Sequence, residues 1–313
     1  MPDKGGPGTG QKKSPPWLTL TLSGLAGIGG WMFVHPFDVL KTRMQLSGEG
    51  GGARAYKGTV DAAVKISQRE GVLALYAGLS AGVTRQASYT TLRAGLYQIF
   101  RDKMAGGSKE TSFGTKLICG LASGATAATI CCPVEVSLIR MQADGRLPPE
   151  ERRNYKNVFD GILRIAREEG IATCWRGSTP TVVRAMVVNM VQMATYDEAK
   201  RTLQKQNAVS SLKAGLPLHF ASSLTSGFLY SAASLPFDIA KTRMQNQKAL
   251  ADGSRQYSNI FQTLMLIVRL EGPAALWKGF APYFGRSGLH TVGMFMILEQ
   301  LKRIASTKFG YSS

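Results

Sequence analysis

PFDVLKTRMQ at 36–45, PVEVSLIRMQ at 133–142 and PFDIAKTRMQ at 236–245 are three versions of one phrase. Their prolines stand 97 and 103 residues apart, so one unit of about a hundred residues fills the 313-residue chain three times. A repeat that covers a whole chain implies pseudo-threefold symmetry, and a residue facing the axis in one unit faces it in all three. The units are read as 17–106, 107–206 and 207–313. The leading MPDKGGPGTGQKKSPP has no apolar core and no amphipathic Arg/Ser pattern. It reads as a disordered tail (1–16), neither a signal nor a transit peptide.

Each unit holds two apolar stretches, at 17–34, 79–100, 114–139, 178–196, 218–244 and 280–301. Each is long enough for a membrane helix of ~20 residues. Several charges fall in or beside them, including Asp38, Arg85, Arg93, Glu135, Arg184, Asp238 and Arg286, and mean hydropathy is only −0.05. A soluble all-α fold is the competing reading. Many of the 35 glycines lie inside these stretches. In a water-exposed helix each costs about 1 kcal/mol, whereas in lipid small residues let backbones approach. An all-α membrane protein of six tilted helices around a central cavity is therefore expected, with its internal charges facing a polar interior. A net charge of +18 fits nucleic-acid binding or a basic membrane rim. No nucleic-acid motif is present, and the basic residues recur with the repeat. An anion-handling cavity with basic flanks meeting acidic lipid fits better. Cys119, Cys131, Cys132 and Cys174 form no CxxC pattern and read as structural thiols, with no metal site. No Ser/His/Asp set, P-loop or cofactor motif argues for an enzyme.

Within a unit the order is constant. An apolar segment runs into the phrase, a loop follows, and residues 59–69 form a short amphipathic helix. Then come Glu70-Gly71, Tyr76-Ala77-Gly78 and a second long helix. The later units substitute Glu169-Gly170 with Trp175-Arg176-Gly177, and Glu271-Gly272 with Trp277-Lys278-Gly279. A proline inside the first long helix of each unit kinks it (long helices alone are counted as odd and even, first and second in each unit), which is tolerated in membranes where neighbours satisfy the freed carbonyl. Three such kinks bring the following charges near the axis. Small residues in register (Ser23, Gly120, Ser223; Gly27, Gly124, Gly227) suggest a stripe of close helix contact.

The pattern P-x-[D/E]-x-x-[K/R]-x-[R/K]-x-Q, followed by [D/E]-G-x4-aromatic-[K/R]-G, resembles the mitochondrial carrier family. Three copies in register cover essentially the whole chain. The resemblance implies antiport across the inner mitochondrial membrane by alternating access through one central site, with 2-oxoglutarate and malate or other dicarboxylates as substrates. It also implies two ion-pair gates. At the matrix end Lys41 would pair with Asp238 and Lys241 with Glu135, braced by Gln45, Gln142 and Gln245. Leu138 stands where the third basic residue belongs, so Asp38 lacks its expected partner. At the cytoplasmic end Arg101 would pair with Asp197 and Lys200 with Glu299, while Gln98 offers Lys302 only a neutral partner. Gly78, Trp175, Arg176, Gly177, Trp277, Lys278 and Gly279, at helix starts, would hold anionic lipid such as cardiolipin. The chain is expected to act as a monomer.

Counting from the glycine of each aromatic-x-Gly defines a second register. Seven residues on stand Arg85, Arg184 and Arg286. Three guanidinium groups at one height suit a carboxylate or phosphate, which Arg grips through a planar fork. Left uncompensated they would repel one another. Tyr89 and His290 lie eleven past the glycine, Asn189 twelve, and Arg93 and Gln192 fifteen. Arg93 breaks the threefold pattern and so suits an asymmetric substrate. A different anion in the same architecture is the closest alternative, although Arg184 argues against the apolar pair expected for an adenine. A basic helical scaffold for RNA is the alternative from another class.

Overall fold

Nine α-helices occur among the described residues, in the order long, short, long, three times over. They are α1 (Pro16–Leu46), α2 (Thr59–Glu70), α3 (Leu79–Ala105), α4 (Phe113–Ala143), α5 (Val158–Glu168), α6 (Ser178–Lys205), α7 (Leu216–Asn246), α8 (Ile260–Glu271) and α9 (Phe280–Phe309). The computed structural model describes residues 12–13, 16–105, 113–205, 216–247, 255–309 and 311–312. Pro36, Pro133 and Pro236 lie inside α1, α4 and α7. Six helices have 27 to 31 residues. Among the described residues only Gly114–Arg146, with mean hydropathy 1.7, is apolar enough by composition alone to cross a membrane as a single helix. The others carry more charge, and much of it lines the cavity described below.

The chain forms two compact units, Met1–Val34 with Leu289–Ser313, and His35–Gly288. In the first, a Cβ added at Gly30 would stand 2.9 Å from the Met294 backbone nitrogen, so this glycine lets α1 and α9 meet backbone to backbone. Lys12 and Lys13, within the expected tail, pair in parallel with Tyr311 and Ser312. Residues 1–11 and 14–15 lie outside the described residues.

The expected small-residue stripe is not where helices approach most closely. A Cβ at Gly27, Gly120 or Gly124 would meet nothing within 4 Å, and one at Gly227 only ring atoms at 3.8 Å. The side chains of Ser23 and Ser223 lie outside the described ones. Close approach falls instead at Gly30 and, in the second unit, at the glycine ahead of each even helix.

The second unit contains the short helices. α5 and α8 begin with reciprocal caps. Asn157 Oδ1 accepts from Asp160 N at 3.0 Å while Asp160 Oδ2 accepts from Lys156 N at 2.9 Å. Asn259 and Gln262 repeat the exchange at 2.9 and 3.1 Å. Such pairs satisfy donors that a helix start leaves open. In α2 a glycine holds the cap position, and Asp61 alone accepts, from Lys57 N at 2.8 Å. Each short helix buries one face at helical spacing: Ala62 and Ile66, Val158 and Ile165, Ile260 and Ile267.

Gly78, Gly177 and Gly279 have φ of +77°, +78° and +82°, the left-handed region that favours glycine. Each also abuts the odd helix of the next repeat. Added Cβ atoms would lie 3.3 Å from Leu138 Cδ1, 2.6 Å from Gln245 Cγ and 3.3 Å from the Lys41 carbonyl oxygen, respectively.

A second cyclic contact was not read from the sequence. Arg43, Arg140 and Arg243 are at most 1% exposed. Each forks onto the glutamate of its own Glu-Gly motif, with second bonds of 2.8, 2.9 and 2.9 Å to Glu70, Glu169 and Glu271. Each Nε also donates to a backbone carbonyl of the next repeat. The distances are 2.9 Å to Gln142 O, 3.1 Å to Gln245 O and 3.4 Å to Gln45 O. Those carbonyls belong to the last turns of odd helices, where acceptors lack intrahelical partners.

Gly170 has φ +89° with nothing within 4 Å of an added Cβ, whereas Gly177 has both the positive φ and the contact with Gln245. Gly177→Ala is expected to destabilise the protein by about 2–3 kcal/mol and Gly170→Ala by about 1 kcal/mol. Thermal unfolding of the two variants in detergent checks the order.

Candidate functional site

Lys41 and Asp238 form an ion pair at 2.5 Å, and Lys241 and Glu135 one at 2.8 Å. All four lie on odd helices just beyond the prolines, as the family resemblance implies for the matrix end. Their side chains are 13%, 4%, 8% and 11% exposed, so these are buried pairs rather than surface contacts. Breaking such a pair from one side strands a charge and costs about 3–5 kcal/mol.

Asp38 is not left without a partner. Arg286 Nε stands 3.3 Å from its Oδ1. The signature partner is absent, as Leu138 implies, and a cation from another register stands in its place. The cation comes from the even helix α9, which a comparison of the signature phrases alone does not reach. The same relation recurs around the unit: Arg184 Nε is 3.4 Å from Asp238 Oδ1, and Arg85 Nη1 is 4.0 Å from Glu135 Oε1. The three arginines at one height thus each face a signature carboxylate. The mutual repulsion expected of them is offset by protein groups in this conformation. Between them lies a polar cavity of about 90 Å³, lined by these arginines, the three carboxylates, both lysines and the apolar Leu138 and Ile139.

The ion pairs to Asp38 and Asp238 are close but poorly aligned. Arg184 Nε and Arg286 Nε are buried and make no hydrogen bond. A buried donor in that state costs about 1–3 kcal/mol until an acceptor reaches it.

The glutamines differ among themselves. Gln45 Nε2 donates to Asp238 Oδ2 at 2.7 Å and its Oε1 accepts from Thr242 at 2.7 Å. Gln142 Oε1 accepts from Thr42 at 2.7 Å. The residue corresponding to Thr42 and Thr242 in the middle repeat is Ile139, which has no hydroxyl. Gln245 Oε1 is accordingly buried without a hydrogen-bond partner, and its Nε2 reaches only Cys132 Sγ at 4.0 Å. Of the three expected braces, Gln45 alone touches an ion pair directly among the described contacts.

Tyr283 is a site residue the sequence reading missed. It is 2% exposed, accepts from Arg184 Nη1 at 3.1 Å, and lies beneath Lys41. The register that found the arginines contains it, four residues past Gly279, opposite Gly82 and Thr181. Thr181 Oγ1 donates to Glu135 Oε2 at 3.4 Å.

Of the other candidates, Tyr89 is half-buried and Arg93 exposed. His290, in the first compact unit, is also half-buried. The side chains of Asn189, Gln192, Asp197, Lys200 and Lys302 lie outside the described ones. Gln98 is exposed. Arg101 donates to Asp102 Oδ1 at 3.1 Å, and Glu299 accepts from Arg303 at 2.6 Å, each on its own helix. At the helix starts, Trp175 and Trp277 are 42% and 44% exposed. Lys278 is engaged internally, by Glu271 at 2.6 Å and the Ser47 carbonyl at 2.8 Å. Arg176 Nη1 is buried and makes no hydrogen bond.

The family profile described as "Mitochondrial carrier protein" matches residues 12–108, 109–207 and 213–309. The chain is 46% identical over 303 residues to the mitochondrial 2-oxoglutarate/malate carrier protein of Mus musculus, covering 95% of each chain. It is 46% identical over 287 residues to the protein of the same name in Caenorhabditis elegans, covering 92% of each. It is 37% identical over 301 residues to mitochondrial uncoupling protein 5 of Arabidopsis thaliana, covering 90% of this chain and 95% of that one.

Thr242→Val removes the donor to Gln45 and is expected to destabilise by about 1–3 kcal/mol. Ile139→Thr supplies the missing donor to Gln245, so its cost should stay below about 1 kcal/mol despite the lost apolar contact. Denaturation midpoints of both variants in one detergent test the contrast.

Proposed function

The chain belongs to the mitochondrial carrier family, and we propose that it exchanges 2-oxoglutarate for malate or a related dicarboxylate across the inner mitochondrial membrane. It is a transporter rather than an enzyme. The observation that carries the reading is the set of three arginines facing one small polar cavity, two of them with buried Nε donors that lack an acceptor. Carrier proteins named for 2-oxoglutarate and malate, 45–47% identical over most of this chain, support the choice of substrate.

Each of the six long helices is a membrane span. A helix of this length measures about 40–45 Å at ~1.5 Å per residue, enough to cross a tilted ~30 Å hydrocarbon layer. The charges that keep most of them from reading as spans by composition face protein or cavity, where lipid does not exclude them.

Lys41, Asp238, Lys241 and Glu135 act as the matrix gate with Asp38, braced by Gln45, Gln142 and Gln245. Arg184 and Arg286 take the two carboxylates of the substrate, with Arg85 and Arg93 completing the positive field. Tyr89, Asn189, Gln192 and His290 serve its keto or hydroxyl oxygen. Each arginine that turns to the substrate leaves a gate carboxylate with less positive charge beside it. Capture of the anion therefore weakens the lock below it, and the substrate supplies the differential interaction that a change of state requires. Gln98, Arg101, Asp197, Lys200, Glu299 and Lys302 form the opposite, cytoplasmic gate. Gly78, Trp175, Arg176, Gly177, Trp277, Lys278 and Gly279 border anionic lipid, whose phosphates suit the amides at helix N-termini. The carrier works as a monomer.

Uptake of labelled 2-oxoglutarate into liposomes holding the purified protein tests the activity. Malate-loaded vesicles are expected to accumulate label well above empty ones; equal uptake would end the exchange reading. Preference for phosphate or a nucleotide over any dicarboxylate would identify a different anion. Lys41→Asp and Asp238→Lys are each expected to cut exchange by at least tenfold, and the double reversal to recover part of it. A double variant no better than either single one removes the gate assignment.

A further inference from the structure

Around the cavity the arginines and the carboxylates repeat in threes, but one large side chain does not. Tyr283 faces the cluster from α9, where the corresponding residues of the other repeats are Gly82 and Thr181. Its hydroxyl accepts from Arg184 Nη1 at 3.1 Å and lies 3.3 Å from Ser234 Oγ. A guanidinium has no acceptor, so the phenolic proton is available to Ser234 Oγ while the oxygen holds Arg184. Lys41 Nζ stands 4.6 Å from the ring centroid and Arg286 Cζ 5.6 Å from it. Both fall inside the ~6 Å reach of a cation–π contact. One buried side chain thus touches a gate cation and two of the three cavity arginines.

The charge count gives this a purpose. Lys41, Arg184 and Arg286 bring three positive charges to a part of the cavity where Asp38 and Asp238 bring two negative ones. A third carboxylate would balance the sum, but it would also compete with an anionic substrate for the arginines. The face of an aromatic ring attracts cations without carrying a formal charge.

We propose that Tyr283 is a positioning residue. Its hydroxyl sets the angle at which Arg184 presents its remaining donors to the substrate, and its ring ties Arg286 and the gate lysine Lys41 to the same support. The proposal rests on the anion-exchange reading above. It adds an asymmetric contact on the matrix side of the site, and with it a physical link between capture of the anion and release of Lys41.

The test uses the full-length protein in liposomes, with KM and maximal exchange rate read for wild type, Tyr283→Phe and Tyr283→Leu. Phe keeps the ring and loses the oxygen. Its KM for 2-oxoglutarate should rise about tenfold, the scale of a hydrogen bond to a charged group. Its maximal rate should hold within about threefold, because the ring still supports Lys41. Leu loses both supports, so its KM should rise at least as far and its maximal rate fall about tenfold or more. A Phe variant with wild-type KM overturns the proposal. So do Phe and Leu variants that lose maximal rate in proportion to a lowered Tm with KM unchanged, since that marks packing alone. A double-mutant cycle of Tyr283→Phe with Arg184→Gln, read on Tm without substrate, separates this inference from the functional one. Non-additive shifts are expected even if wild type fails to exchange dicarboxylates, and additive shifts remove the contact on which the proposal stands.

Discussion

Three buried arginines hold the signature ends of the odd helices together, and each needs two partners at once. Arg43, Arg140 and Arg243 fork onto a glutamate of their own repeat and reach forward to a backbone carbonyl of the next. A guanidinium is the one side chain that can meet both demands, because its planar fork serves the carboxylate while Nε points elsewhere. A lysine here could satisfy the charge but not the geometry. The gate lysines lie two residues earlier on the same helices and the gate carboxylates five, so their separation is set by this frame.

On that frame sits a set of interactions that is only nearly symmetric. Two strong lysine–carboxylate pairs close two of the three seams, while the third holds Leu138 and an aspartate served by a distant arginine. The glutamine and threonine contacts fail at a different seam, between the second and third repeats, where Gln245 Oε1 finds no donor although Lys241 pairs with Glu135. The proposed gate must open repeatedly, so it cannot be held by the strongest available interactions, since a large gap between two states leaves one of them unpopulated. The missing contacts reduce that gap without disturbing the arginines below.

Much of this was legible in the sequence because a repeat supplies its own alignment. The triplicated phrase placed the prolines and the short helices, the family resemblance implied the Lys41–Asp238 and Lys241–Glu135 pairs, and counting from Gly78, Gly177 and Gly279 found the three arginines. What it could not supply was contact between different registers. Arg286 meets Asp38 across helices of the first and third repeats, a pairing that comparing like with like does not reveal. Tyr283 was passed over because the count selected positions where the repeats agree, and its importance lies in their disagreement. The glycine stripe failed for a different reason: spacing shows that small residues share a face but not whether another backbone lies against it.

The forward reach of the three arginines bears on how the molecule is made. Arg43 needs a carbonyl of the second repeat, Arg140 one of the third, and Arg243 turns back to Gln45 in the first. A chain emerging from the ribosome in that order pairs each buried charge within its own repeat but leaves each Nε without its acceptor, and the circle closes only when α7 arrives. Fragments of one or two repeats therefore leave an Nε donor or a helix-end carbonyl without its partner at each broken seam. The ring of contacts at the signature ends is complete only when all three repeats are present, so the repeat is a unit of sequence that does not satisfy its own polar groups.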